Sequence, residues 1–220
     1  MTDIELMQRI KAEAGDAIAT ACERSSVPPA FVAGLIANET GEQFASAGLA
    51  GAMNARRFEK NVLAALWEVL LGRKAAYGSL GRKDVLLYVV SGQVAKSGAG
   101  FTTVPATIPA DSLLRMDRLA SSAGLTQVMG YHVLEAASGL EHTDDLMLPG
   151  RCLEETIRLL AEFAERFQLD LTSEFPPLFT CWNTGSPEGK TFDPDYVKNG
   201  LRRMQLYAGI SISSGGGGKP

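Results

Sequence analysis

Val27-Pro28-Pro29-Ala30-Phe31-Val32-Ala33-Gly34-Leu35-Ile36-Ala37-Asn38-Glu39-Thr40-Gly41 reads as a buried helix that delivers one carboxylate at its exit. Ser26 is placed to cap its start. Pro28 and Pro29 suit a first turn whose amide hydrogens have no partner within the helix, and Gly41 suits the left-handed stop position after the last turn. Between these ends Phe31, Val32, Leu35 and Ile36 recur at helical spacing, while Ala33, Gly34 and Ala37 are small enough to admit close neighbours. Glu39 at such an exit is a candidate general acid, because loss of solvation raises the pKa of a carboxyl group. A solvated glutamate at a helix end is the plain alternative.

The 220 residues are 45% hydrophobic and 21% charged, which describes one soluble globular domain over residues 1–210, with a Gly- and Ser-rich tail over 211–220. The net charge of -4 argues against a nucleic-acid partner. Cys22, Cys152 and Cys181 lie far apart without C-x-x-C spacing, so neither a zinc site nor a disulfide framework is expected. No segment has the ~18 consecutive apolar residues of a membrane span, and no export signal opens the chain.

Thr2 and Glu5 form a capping-box pattern before a helix with Met7, Ile10, Ala14, Ala17, Ile18 and Ala21 on one stripe. After Gly41 a polar, small-residue stretch runs to Asn54. Arg56-Arg57-Phe58-Glu59 then leads into a helix over Lys60–Leu71, and the two arginines beside Glu59 read either as a surface ion pair or as the rim of a cleft. Val85–Val90 fits a short helix or a buried strand, and Lys96–Ala110 a loop or small hairpin. A short helix is expected over Asp111–Leu119, and a longer one from Leu125 to Ala137 after the small residues Ala120–Gly124. Gln127 near the start of that longer helix needs partners for its amide, either sugar groups or groups of the protein itself. An amphipathic helix follows over Cys152–Gln168, with Glu154–Arg158 and Glu162–Arg166 pairing on its solvated face. Pro176 and Pro177 open a further helix ending at Gly185, and Asp193 and Pro194 cap a last one.

His132 and His142 are the only histidines and show no metal-ligand spacing, and no phosphate-binding glycine loop is present. No metal or cofactor is therefore expected. A serine or cysteine nucleophile has no recognisable base, which leaves carboxylate chemistry.

Glu39-Thr40-Gly41, Gly124-Leu125-Thr126-Gln127-Val128-Met129, Trp182-Asn183-Thr184-Gly185 and Asp195-Tyr196-Val197 occur in the order of motifs of the lysozyme-like superfamily. The chain resembles goose-type lysozymes and lytic transglycosylases, whose pattern is Glu-Ser/Thr-Gly, Gly-Leu-Met-Gln, Tyr-Asn-x-Gly and a Tyr-Val pair. Trp182 stands for the usual tyrosine and Thr126 for the usual methionine. The long separation of Glu39 from Gly124, with Arg57-Phe58-Glu59 between them and Ser121–Gly130 after, is more similar to the N-acetylmuramidase domains of endolysins.

The resemblance implies a mainly α, lysozyme-like fold around a substrate cleft and cleavage of the β-1,4 bond between N-acetylmuramic acid and N-acetylglucosamine in peptidoglycan. It implies Glu39 as general acid, Gln127, Met129 and Asn183 as cleft residues against the sugars, and Tyr196 as a group that holds Glu39. A hydrolase of this kind needs a second carboxylate, roughly 6.5–9.5 Å from the acid if it inverts and about 5–5.5 Å if it retains. Glu59 is the first candidate, then Asp111 and Asp117, and Glu42 last. Without such a group, Glu39 alone would give the 1,6-anhydro products of a lytic transglycosylase. A glycan-binding or structural domain without turnover is the third expectation.

Overall fold

The protein is described here by a computed structural model, over residues 1–94 and 109–210. The expected loop or hairpin over 96–110 lies, as far as residue 108, outside the described residues, as does the tail from Ser211. The opening helix, α1 (Asp3–Cys22), carries the expected box: Thr2 Oγ1 accepts from the Glu5 amide, and the Glu5 side chain accepts from the Thr2 amide at 2.7 Å.

Its partner is α2 (Pro29–Met53), which does not stop at Gly41. Instead the helix bends at Thr40, where the backbone takes φ -131° and ψ 18°, and again at Gly48, where φ is +65°. The Thr40 hydroxyl lies 3.1 Å from the Ile36 carbonyl and 2.7 Å from the Leu125 carbonyl, so the bend is stitched to a segment far along the chain. Gly41 serves packing, not termination. A Cβ on it would stand 3.2 Å from Leu6 of α1. The first turn also lacks the expected Ser26 cap; Pro28 occupies the N-cap without a side-chain bond, and Pro29 is the first helical residue.

Residues 56–134 hold most of the departures from a helical reading. β1 (Arg56–Phe58), β4 (Ser121–Ala123) and β5 (Val128–Met129) form an antiparallel sheet in the order β1-β4-β5, with Arg57 opposite Ser122 and Ser122 opposite Met129. The helix expected from Leu125 is therefore a strand, a turn and a 3₁₀ segment, Gly130–Leu134. Two residues enforce this: Gly124 at φ +76° and Gln127 at φ +55° both leave helical space. The small residues do allow close approach, since a Cβ on Gly124 would stand 2.3 Å from the Leu146 carbonyl oxygen.

Between β1 and β4 the chain forms α3 (Lys60–Leu70), a hairpin of β2 (Ala76–Tyr77) and β3 (Leu80–Gly81), then α4 (Arg82–Ser91) and α5 (Ser112–Leu119). Val85–Val90 is thus helical, and its first five residues are buried. The later helices are α6 (Pro149–Phe167), α7 (Phe175–Thr184) and α8 (Tyr196–Gly209). α8 starts three residues after the expected Asp193 cap, whose carboxylate instead accepts from the Asp195 amide at 2.9 Å.

Buried side chains from all eight of these helices join one hydrophobic cluster, with Phe31, Phe44, Phe179, Met7, Ile10 and Leu35 among its largest members. At its centre α2 runs between α1 and α8, and its crossing with α8 is unusually close. A Cβ on Gly34 would lie 3.0 Å from the Gly200 carbonyl oxygen, and one on Gly200 would lie 2.6 Å from the Phe179 ring. Glycine at both positions lets the helices approach and brings the bend of α2 beside the start of α8.

Candidate active site

A cleft of about 800 Å³ runs past the bend of α2, with the sheet, the hairpin, α6 and α7 supplying its other walls. Glu39, Glu59, Gln127, Met129 and Asn183 all line it. Tyr196 stands behind Glu39. Its phenol donates a short hydrogen bond to Glu39 Oε1, across 157 positions of sequence. Asn38 donates to the Tyr196 carbonyl at 2.8 Å and accepts from Arg203 at 2.8 Å, so the neighbour of the acid fastens the helix that holds it.

Glu39 opens in part to the cleft, yet burial dominates its electrostatics and raises its pKa above the ordinary carboxylate value. The Tyr196 hydrogen bond and the charge of Arg57 pull the other way without reversing the shift. The same burial, with the negative field of Glu39, lifts Tyr196 well above a normal phenol, which keeps it a donor. A protonated carboxyl facing a cleft can donate to a leaving oxygen near neutral pH.

Glu59 follows β1 and pairs with Arg57 at 2.6 Å. For Arg57 both alternatives hold at once, since its exposed pair with Glu59 lines the cleft, whereas Arg56 pairs with Asp144 at 2.9 Å and does not line it. Asp111, Asp117 and Glu42 are exposed and do not line the cleft, and Asp111 is paired with Arg115.

Gln127 lies where a sugar-binding amide was expected, but its side chain is engaged within the protein. Nε2 donates to the carbonyls of Ala55 at 3.1 Å and Gly124 at 3.0 Å, and Oε1 accepts from Ser122 at 2.9 Å. Its amide hydrogens lock the β4–β5 turn to β1. Asn183 differs, being exposed in the cleft with no side-chain hydrogen bond among the described residues. Trp182 is fixed beside it by donation from its indole nitrogen to the Thr126 carbonyl at 3.1 Å.

Several lining residues were not foreseen. Tyr77 comes from the hairpin and Tyr131 from the 3₁₀ segment, and their rings meet edge to face at 5.1 Å. On α6 the expected Glu154–Arg158 pair is absent. Glu154 bonds Arg151, while Arg158 turns inward to Glu155 at 2.7 Å, Glu135 at 2.5 Å and Glu162 at 2.9 Å. Glu154, Glu162 and Arg166 are exposed as expected of a solvated face, but Arg158 leaves it for Glu155, which is only 2% exposed. Burial pushes Glu135 up, but the nearby His132 and the charge and hydrogen bond of Arg158 outweigh it and hold the carboxyl below its usual range. His132 Nδ1 sits 3.1 Å from Glu135, at ion-pair distance but without hydrogen-bond alignment. The sequence signal for these residues was weak, since charges at i, i+3 and i, i+4 look alike whether they face water or a buried carboxylate.

Among the described residues no group of three or more His, Cys, Asp or Glu side chains could hold a metal ion, and the three cysteines are buried free thiols. No helix among them is long and apolar enough to cross a membrane.

The chain is similar to the crystal structure of the endolysin of Burkholderia phage AP3, with a TM-score of 0.50 and 18% identity over 88% of this chain and 69% of that chain. At that identity the likeness shows the fold, which is mainly α and lysozyme-like, with a small antiparallel sheet beside the cleft. No protein-family model matches the chain, and no curated protein matches it.

Proposed function

We propose that the protein is a peptidoglycan glycosidase that cleaves the β-1,4 bond between N-acetylmuramic acid and N-acetylglucosamine, with Glu39 as general acid. The observation that carries this reading is a carboxyl group at the bend of a buried helix, opening into a cleft, with its pKa raised by burial and its position held by the Tyr196 phenol. The shared fold with a phage endolysin supports wall glycan as the substrate class. Protonated Glu39 gives its proton to the glycosidic oxygen as the bond to the anomeric carbon breaks. Asn183 offers its amide to the sugar, Met129 an apolar wall, and Gln127 keeps the β4–β5 turn in shape. Glu59 is the residue proposed to activate the attacking water, because it is a second carboxylate of the same cleft.

One observation favours a second reading. Glu59 is bonded to Arg57, which leaves Glu39, among the described residues, as the cleft carboxylate without a cation bonded to it. In that case the substrate's own C6 hydroxyl attacks, and the product is a 1,6-anhydro sugar.

Mass spectrometry of products from purified peptidoglycan separates the readings, with Glu39→Gln as the blank. Reducing-end muramic acid that disappears in Glu59→Gln supports hydrolysis with Glu59 as base. Products one water lighter support the transglycosylase. Glycan binding without any product would overturn both and leave a binding domain.

A further inference from the structure

The α6 wall of the cleft differs in chemistry from the wall that carries Glu39. Leu159, Phe163 and Arg166 recur at i, i+4 and i+7 and line the cleft together, an apolar strip closed by one guanidinium. The other ionised groups of the lining have partners. Glu59 has Arg57, and Glu135 and Glu162 share Arg158. Arg166, expected to pair with Glu162, has lost that partner to Arg158. Among the described residues no carboxylate lies within ion-pairing distance of Arg166, and its guanidinium rests 5.1 Å over the Phe167 ring.

Neutral sugars ask for hydroxyl and amide partners, which this strip does not provide. A peptide with small aliphatic side chains and free carboxylates asks for an apolar surface ending in a fork of N–H donors. Peptidoglycan carries such a peptide on the lactyl group of each muramic acid, and its carboxylates are the anionic groups of a strand with stems attached. We infer that Leu159, Phe163 and Arg166 form a subsite for the stem peptide, in which Arg166 binds a stem carboxylate. This inference rests on the glycosidase reading. The protein then selects peptide-bearing strands, and the selection comes from one cation on a chain that is acidic overall.

The test uses soluble glycan strands with stems attached and amino groups acetylated, in two forms: stem carboxylates free, or converted to methylamides. The expected result is a KM ~3- to 10-fold lower for the carboxylate form, the order of one exposed charge-assisted contact. Added salt should narrow that ratio. In Arg166→Gln the ratio collapses towards one, while Arg166→Lys keeps part of it. Equal KM for both forms with the wild-type protein, or an unchanged ratio in Arg166→Gln, overturns the subsite and leaves the glycosidase reading standing. Absence of product from either form overturns the glycosidase reading, and the subsite falls with it.

Discussion

Gly34 and Gly200 face each other where α2 crosses α8, so closely that a Cβ on the first would meet the carbonyl oxygen of the second at 3.0 Å. This crossing sets the separation between the helix that carries Glu39 and the helix that carries Tyr196. Gly200→Ala would bring a methyl within 2.6 Å of the Phe179 ring. We expect a loss of about 1–3 kcal/mol in chemical denaturation, the usual penalty for overpacking, together with weakened activity as α8 and Phe179 of α7 shift against each other.

Replacing Glu39 by Gln keeps the shape of the side chain and removes the proton. Clearing of a peptidoglycan suspension should fall by about a hundredfold to ten-thousandfold, with glycan binding retained. Equal clearing by both proteins would sink the role assigned to Glu39.

The same substitution has a stability signature whose sign follows from the raised pKa. Unfolded Glu39 ionises around its ordinary value of 4.5, whereas the folded form keeps its proton to higher pH. The folded state therefore binds more protons within that window, and the wild type loses stability as pH rises through it. Glu39→Gln removes this loss. Its Tm relative to wild type should accordingly rise from pH 4 towards neutrality, and a difference independent of pH would contradict the buried-acid description.

Tyr196→Phe removes a hydrogen bond that lowers the Glu39 pKa against the larger effect of burial. The acid then holds its proton to higher pH, so the alkaline limb of the kcat/KM profile should move upward. A fall in kcat of up to about a hundredfold is expected from the lost positioning. A limb that stays in place would mean that Tyr196 packs without tuning.

Arg158 neutralises a group of carboxylates that includes Glu155, which is 2% exposed. Arg158→Met should cost about 3–5 kcal/mol near neutral pH, because it leaves buried charge without a partner. Glu135, held below its usual range, contributes stability that is present above the unfolded value of 4.5 and disappears as pH falls through the folded one. Its share of the penalty should therefore shrink in acid, which urea titrations at two pH values will read.

The chain disclosed its long helices and its acid more readily than its sheet. Periodic apolar stripes in α1 and α6, the proline start of α2 and the left-handed Gly185 after α7 are local signals, and they mark those boundaries within a few residues. The stop expected at Gly41 failed because a glycine serves equally well for close packing, and here Leu6 lies against it. The strand pair at Ser121–Met129 stayed hidden, since two- and three-residue strands hold too few side chains to show alternation. What decides them is a left-handed Gln127, whose amide is bonded to residues as distant as Ala55. The motif order located Glu39, Gln127, Asn183 and Tyr196 in or beside one cleft. It did not anticipate the α6 wall, because the choice of Arg158 over Arg166 as the partner of Glu162 depends on where Glu135 and Glu155 lie in space.

The bond between Glu39 and Tyr196 also bears on biosynthesis. Every ribosome makes the acid 157 residues before the phenol that holds it. A nascent or truncated chain that ends short of α8 carries Glu39 without Tyr196, without the Asn38 contact to the Tyr196 carbonyl, and without the Arg203 anchor. The last helix therefore completes the site: a fragment that stops before α8 keeps the acid and lacks every one of these supports.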